Sequence, residues 1–295
     1  MIISRMDGGL GNQMFQYALA SILGQKNKTS ILLDSSFFDQ TEKRLGHTPR
    51  KFELTVFNNS YSLASKKDLL FFQQLSVSNK IKRELGLNYP KMYKEASFRY
   101  DEKVLMIQTP VYIRGFFQSY KYFIGYENKI RELFAFPTHA LDEPNKKVAD
   151  IIKSTNSIAI HIRRGDYVND ATTQQYHGNC SVDYYLKAIS LLTAKEKELS
   201  LFFFSDDSEW VKEQFRDLPY PKQFIDDNTG ENSWKDMFLM SLCRHNIIAN
   251  SSFSWWAAWL NTNPDKKVVT PKKWFVLSEE VINTSDLTPP DWIRL

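Results

Sequence analysis

Two cysteines in 295 residues, Cys180 and Cys243, exclude a disulfide framework, and no paired Cys or His spacing suggests a zinc site. No window approaches the apolar length of a membrane span. The first residues, Met1-Ile-Ile-Ser-Arg5, show no charged leader followed by an apolar stretch of signal-peptide length, so a soluble cytoplasmic protein is expected. Excess charge is lacking too. The balance of 38 basic against 34 acidic residues is +4, too mild and too evenly spread to argue for a nucleic-acid partner. A pI near 8.8 still permits a shallow attraction to anionic membranes. There is no internal repeat and no low-complexity tract.

What is present is an ordinary globular composition, 42% hydrophobic, at a length that suggests about two domains. A strand at 1–5 runs through Asp7-Gly8-Gly9-Leu10-Gly11-Asn12-Gln13 into a helix with Met14, Tyr17, Ala18 and Ile22 on one face, and Ser30–Asp34 makes a second strand. Residues 40–150 show little periodicity beyond a strand at 110–115 and a helix at 128–134. The best linker is 136–144, which divides the chain into domains of 1–145 and 146–295. Beyond it strands and helices alternate regularly: strands at 157–162, 199–204, 223–225, 246–249 and 267–270, and helices near 182–192, after Ser208, at 237–242 and at 255–260. Ser233-Trp-Lys-Asp236 has the spacing of a capping box. Such alternation predicts mostly parallel α/β sheets covered on both faces. Aromatic residues reach 14%, and core packing accounts for most of them.

Ligands of open parallel sheets bind beyond the carboxyl ends of the strands, where three polar clusters fall. The apolar run Ser157–Ile162 ends in Arg163-Arg164-Gly165-Asp166, and two guanidinium forks match phosphate oxygens better than two lysines. Ser205, Asp206 and Asp207 follow another strand; the aspartates suit a base or ribose, or a divalent metal less well, while Asp207 also suits helix initiation. Asn250, Ser251, Ser252, Phe253 and Ser254 precede a helix whose N–H groups and dipole favour an anion, against plain N-capping as the alternative. Gly9 and Gly11 are weaker signals, strengthened by the amides of Asn12 and Gln13. A dinucleotide oxidoreductase would use Gly9 and Gly11 with Asp34 as the ribose acid, but the third glycine is absent. A glycan-binding protein without catalysis would keep the aromatics and need no diphosphate site.

Together, Gly8–Tyr17, His161-Ile-Arg-Arg-Gly-Asp-Tyr167, His177–Tyr185, Phe204-Ser-Asp-Asp207 and Asn250–Leu260 resemble the bacterial α1,2-fucosyltransferases of glycosyltransferase family 11, related to α1,6- and protein O-fucosyltransferases. The resemblance implies a GT-B-like α/β fold of two Rossmann-like domains facing a central cleft. The C-terminal domain would hold GDP-fucose, and the N-terminal domain would sit on the acceptor side. It also implies metal-independent, inverting transfer of fucose to the 2-hydroxyl of a galactoside, with no cofactor beyond the donor. The acceptor would be a galactose-containing glycan such as an O-antigen precursor, reached by a cytoplasmic protein able to lie peripherally on the inner membrane. Residue by residue, Arg163 matches the β-phosphate contact, and His161 and Asp206 lie near the guanine or ribose. Ser251, Ser252 and Phe253 match the phosphate side, and Asn12 matches a residue at the reaction centre. Arg163, Asn12 and Asp166 are therefore the catalytic candidates. Asp166, Asp7 and His177 compete as general base, each with a structural role as the alternative.

Overall fold

In the computed structural model the described residues are 1–39, 50–59, 61–73, 77–85, 87, 89–165, 178–194, 198–278 and 280–295. They form two compact units, one holding the described residues of 1–39, 50–135 and 282–288, the other those of 136–281 and 289–295. The division falls between Ala135 and Phe136. A boundary at 145 would cut the helix Glu143–Ser154, whose N-cap Asp142 already bonds Asn145 within the second unit. The stretch 136–144 runs into this helix, because Glu143-Pro144 is a helix start with proline in the first turn.

Unit 1 is built on a parallel sheet in the order β3-β2-β1-β5-β4, with β1 at Ile2–Arg5, β2 at Ile31–Asp34, β3 at Ser62–Leu63, β4 at Lys91–Lys94 and β5 at Val111–Arg114. The expected first helix is α1, Leu10–Lys26. Apart from Asn12 it is buried from Leu10 to Leu23 on every side rather than amphipathic, as a helix enclosed within a unit must be. Helices α2, Lys66–Gln73, and α3, Val77–Glu84, cross from β3 to β4, and α4 is Glu127–Leu133.

Unit 2 carries a second parallel sheet in the order β11-β10-β9-β6-β7-β8. These strands are β6 Asn156–Ile162, β7 Leu199–Ser205, β8 Lys222–Ile225, β9 His245–Ile247, β10 Val268–Thr270 and β11 Ile293–Arg294. Strand β6 lies between β7 and β9, and its six residues from Ser157 to Ile162 are all buried, so it reads as an unbroken apolar run. The helices are α5 Glu143–Ser154, α6 Val182–Thr193, α7 Ser208–Phe215, α8 Trp234–Leu242 and α9 Ser252–Leu260. Ile158, Ile160 and Ile162 of β6 pack with Leu201 and Phe203 of β7 and with Tyr185 and Ile189 of α6. Ser181 caps α6 through the N–H of Tyr184, as its sequence predicts. Ser233 does not cap α8: its backbone is helical, continuing from a short 3-10 turn, so Asp236 is released to accept from Asn228 Nδ2 at 2.7 Å. In each unit the parallel α/β fold is the one expected of a GT-B-like chain.

Candidate functional site

The carboxyl edge of the second sheet gathers the three polar clusters, and their internal bonding sorts them. Arg163 leaves β6 and pairs with Asp206 at the end of β7, Nη1 to Oδ2 at 2.7 Å, both side chains about one quarter exposed. The other oxygen of Asp206 accepts the Arg164 N–H at 2.8 Å, and the Gly165 N–H also donates to this carboxylate. A Cβ at Gly165 would lie 2.8 Å from Asp206 Oδ2, so the close approach requires glycine. Burial raises the Asp206 pKa, but the charge of Arg163 and the two backbone donors outweigh it and hold the group below the ordinary carboxylate range. Asp206 thus aims Arg163 and closes the strand-end turn.

The second arginine is engaged differently. Arg164 Nε donates to Asp207 Oδ2 at 3.0 Å, and its guanidinium lies 3.6 Å from the centre of the Trp210 ring on α7. Asp207 occupies the N-cap of α7 without a side-chain capping bond, because that side chain has turned to Arg164. Ser205 Oγ accepts the Asp207 N–H at 3.0 Å and so shapes the same turn. The two guanidinium groups are thus held in different ways. Each arginine has its own carboxylate, and Arg164 is held flat on an indole.

His161 is 6% exposed, with a buried Nδ1 that has no hydrogen-bond partner. Burial lowers its pKa to about 4, the charge of Asp206 raises it and that of Arg163 lowers it, so the ring is neutral near pH 7. Its centroid lies 5.7 Å from that of Phe253, which brings the start of α9 against the end of β6. Of the α9 cluster, Ser251 is the N-cap, accepting the Phe253 N–H at 3.3 Å, and Ser254 is fully buried and donates back to Ser251 O. Asn250 is 4% exposed: it donates to Gly178 O and Trp274 O and accepts from Cys180 Sγ. Capping and loop bracing thus account for Ser251, Ser254 and Asn250, while the backbone of Ser252 to Ser254 forms the helix N-terminus suited to an anion. Trp255 and Trp256, on the same helix, are core residues.

In unit 1 the glycine turn is equally occupied. Gly8 has φ +79, and a Cβ there would lie 2.5 Å from Asn12 Nδ2. Gly9 is the N-cap of α1, but the Leu10 N–H donates to Glu53 Oε2 at 2.9 Å, so a carboxylate of the protein already sits at this helix N-terminus. Gly11 is buried inside the first turn. Gln13 is fully buried and braced to Gly8 O, Lys51 O and Glu53 N, so its amide is structural. Asn12 differs: it is partly exposed, and its Oδ1 accepts from Gln118 Nε2 at 2.8 Å. Asp7 pairs with Arg5 at 2.9 Å, the structural alternative to a base. Asp34 accepts from Tyr112 OH at 2.6 Å and from the Ser36 N–H, so it is not available as a ribose acid. Asp166 and His177 lie outside the described residues. Among the described residues no group of three or more His, Cys, Asp or Glu side chains could hold a metal, and no helix is long and apolar enough to cross a membrane.

Sequence reasoning missed Trp210, Glu53 and Gln118. Each acts through a contact between residues 43 to 106 positions apart in sequence or across elements, for which no local pattern exists.

Against known proteins, the sequence model of glycosyl transferase family 11 matches residues 1–295. The chain is 37% identical over 312 aligned positions to the O-antigen biosynthesis glycosyltransferase WbnK of Escherichia coli, covering 99% of each. It is 35% identical to an α-1,2-colitosyltransferase of Escherichia coli, covering 100% of this chain and 99% of that one. Among solved structures, the NodZ α-1,6-fucosyltransferase soaked with GDP-fucose aligns over 88% of this chain and 91% of its own at 13% identity, with a TM-score of 0.43.

Proposed function

Because the chain belongs to glycosyl transferase family 11, we propose that it transfers a 6-deoxyhexose, L-fucose in the first instance, from its GDP conjugate to the 2-hydroxyl of a galactoside. The α1,2 linkage rests on the colitosyltransferase relative, and the O-antigen relative supports a glycan acceptor. The observation that carries the donor site is the juxtaposition of Arg163, aimed by Asp206, with the start of α9 beside His161. A diphosphate at this edge would meet a guanidinium fork and a helix N-terminus together. The orphaned Nδ1 of His161 would gain the partner whose lack costs about 1–3 kcal/mol.

The reaction is direct displacement. The acceptor 2-hydroxyl oxygen forms a bond to the anomeric carbon as the bond from that carbon to the β-phosphate oxygen breaks, inverting the configuration and releasing GDP. Negative charge grows on the departing phosphate, and Arg163 together with the α9 N-terminus stabilises it, a role in which one well-placed donor contributes about 3 kcal/mol. Supplying this charge from the protein makes the transfer independent of a metal, which unchanged turnover in a chelator would support and a divalent-cation requirement would contradict. In this reading unit 2 holds the donor, and unit 1, with Asn12 oriented by Gln118, serves the acceptor. The proton of the acceptor hydroxyl passes to the departing diphosphate or to water as the new bond forms, while Asp7 is engaged by Arg5.

A second donor is favoured by the relative that is a colitosyltransferase, colitose being fucose without its 3-hydroxyl. Turnover of GDP-fucose and GDP-colitose on a panel of galactosides, with NMR assignment of the product linkage, tests both. Transfer of either sugar to O2 supports the proposal, and hydrolysis alone or transfer to another position contradicts it.

A further inference from the structure

Strands β1, β5 and β4 lie side by side and parallel, so the segments that leave their carboxyl ends are neighbours. Past β1 come the glycine turn and Asn12, past β5 the turn 115–118, and directly past β4 a carboxylate, Glu95. The ladder runs one residue beyond β4, because the Glu95 N–H donates to Arg114 O at 2.8 Å. That bond sets the half-buried carboxyl against the β5 turn. Its Oε2 accepts the Phe116 N–H at 2.7 Å and its Oε1 accepts the Phe117 N–H at 2.9 Å, so each oxygen holds one of two consecutive backbone donors.

The turn held in this way is one that the chain would otherwise avoid. Phe117 has φ +53, a left-handed backbone that bulky side chains seldom adopt, and its ring is fully buried, stacked on Tyr93 at 6.4 Å and edge-on to Tyr122 at 6.3 Å. Such a conformation persists only where its surroundings determine it, and Glu95 supplies two charge-assisted hydrogen bonds at that point. Gln16, fully buried on α1, accepts the Asp7 N–H at 3.0 Å and donates to Gly115 O at 3.1 Å, which ties the β5 turn to the glycine turn. Next after Phe117 stands Gln118, itself buried, whose Nε2 reaches Asn12 Oδ1 at 2.8 Å and so fixes which way the Asn12 amide points.

We infer that Glu95 is a positioning residue for the acceptor: by holding the Phe116 and Phe117 N–H groups it places Gln118 where that side chain orients Asn12. The inference rests on the reading of Asn12 as an acceptor-side group and deepens it, since Glu95 acts only through other residues. Glu95→Gln keeps the shape but turns an amide N–H toward one of the two backbone donors. Glu95→Asp keeps the charge with a reach one methylene shorter, so whichever variant folds carries the comparison. In either, kcat/KM for the galactoside is expected to fall about tenfold, with the Kd for GDP unchanged. Because the loss passes through Gln118, Glu95→Gln adds little to the loss in Gln118→Ala.

The side-chain amide resonances of Asn12 read the positioning without any sugar, in protein isotope-labelled at asparagine alone, where they are identified by their disappearance in Asn12→Asp. They are expected to shift in both Glu95 variants. Resonances that stay in place, full additivity with Gln118→Ala, or a loss of transfer matched by an equal loss of GDP affinity overturns the inference. Transfer indifferent to Asn12→Ala while the resonances still shift would overturn the acceptor reading, and the role of Glu95 in transfer with it, although the positioning geometry would stand.

Discussion

Asp206 holds Arg163 across the β6–β7 strand ends at 2.7 Å while also accepting the N–H groups of Arg164 and Gly165. One carboxylate thereby fixes the direction of a guanidinium and the turn from which it projects. Replacing Asp206 with Asn keeps the shape and removes the charge. Turnover is expected to fall by about tenfold to a hundredfold, with Arg163→Lys losing on the order of a hundredfold because the fork is gone. In the double variant the losses fall well short of additive. Steady-state kinetics on the four proteins checks this, and strict additivity would mean that the two residues act independently.

Arg164 predicts the opposite pattern. With Asp207 and the Trp210 ring occupying it, Arg164→Lys is expected to cost about 1 kcal/mol of stability while changing turnover less than about fivefold. Thermal unfolding and kinetics of the same variant separate the two effects. A collapse in turnover with unchanged unfolding would place Arg164 beside Arg163 in catalysis.

The sequence makes β6 legible because a strand buried on both faces is apolar throughout, and it places Arg163, Asp206 and Ser252 at one sheet edge by topology alone. It does not show which carboxylate serves which arginine, since Asp206 and Asp207 are adjacent and only the geometry of β7 and α7 divides them between Arg163 and Arg164. Asn250 and Ser254 look like ligand groups in sequence, yet both are spent on bracing the loop and helix. In unit 1 the run Leu69-Leu-Phe-Phe72 hides helix α2, because Leu69 and Phe72 pack inward while Leu70 and Phe71 face solvent, leaving no polar side to mark the period. Strand β3, only two residues long, carries no pattern at all.

Buried neutral His161 makes stability depend on pH. Its folded pKa of about 4 lies below the ordinary 6.5, so between these values the unfolded chain binds a proton that the folded chain refuses. Stability from this source is complete above pH 6.5 and is lost as pH falls toward 4. The loss in urea midpoint between about pH 7 and pH 5 should be smaller in His161→Gln than in wild type. An identical pH dependence would show that the imidazole charges in place.

Asp236 acts with the opposite sign. Burial, with Asp226 and Asp227 nearby, raises its pKa to about 7 despite the hydrogen bond from Asn228. The folded chain then keeps a proton that the unfolded chain has lost above pH 3.8, so this contribution declines as pH rises to about 7 and stays low beyond it. Asp236→Asn should raise the melting temperature more at about pH 8 than at about pH 5. A gain that does not grow with pH would mean that the carboxyl is already ionised at the lower value.

The central claim, that unit 2 holds a guanosine diphosphate sugar through Arg163, is tested most directly by calorimetric titration of GDP into the wild type and into Arg163→Ala. The account predicts one GDP bound per chain with a Kd on the order of 10 µM, weakened at least about tenfold in the variant. Absence of GDP binding to the wild type, or equal affinity in the two proteins, would contradict it.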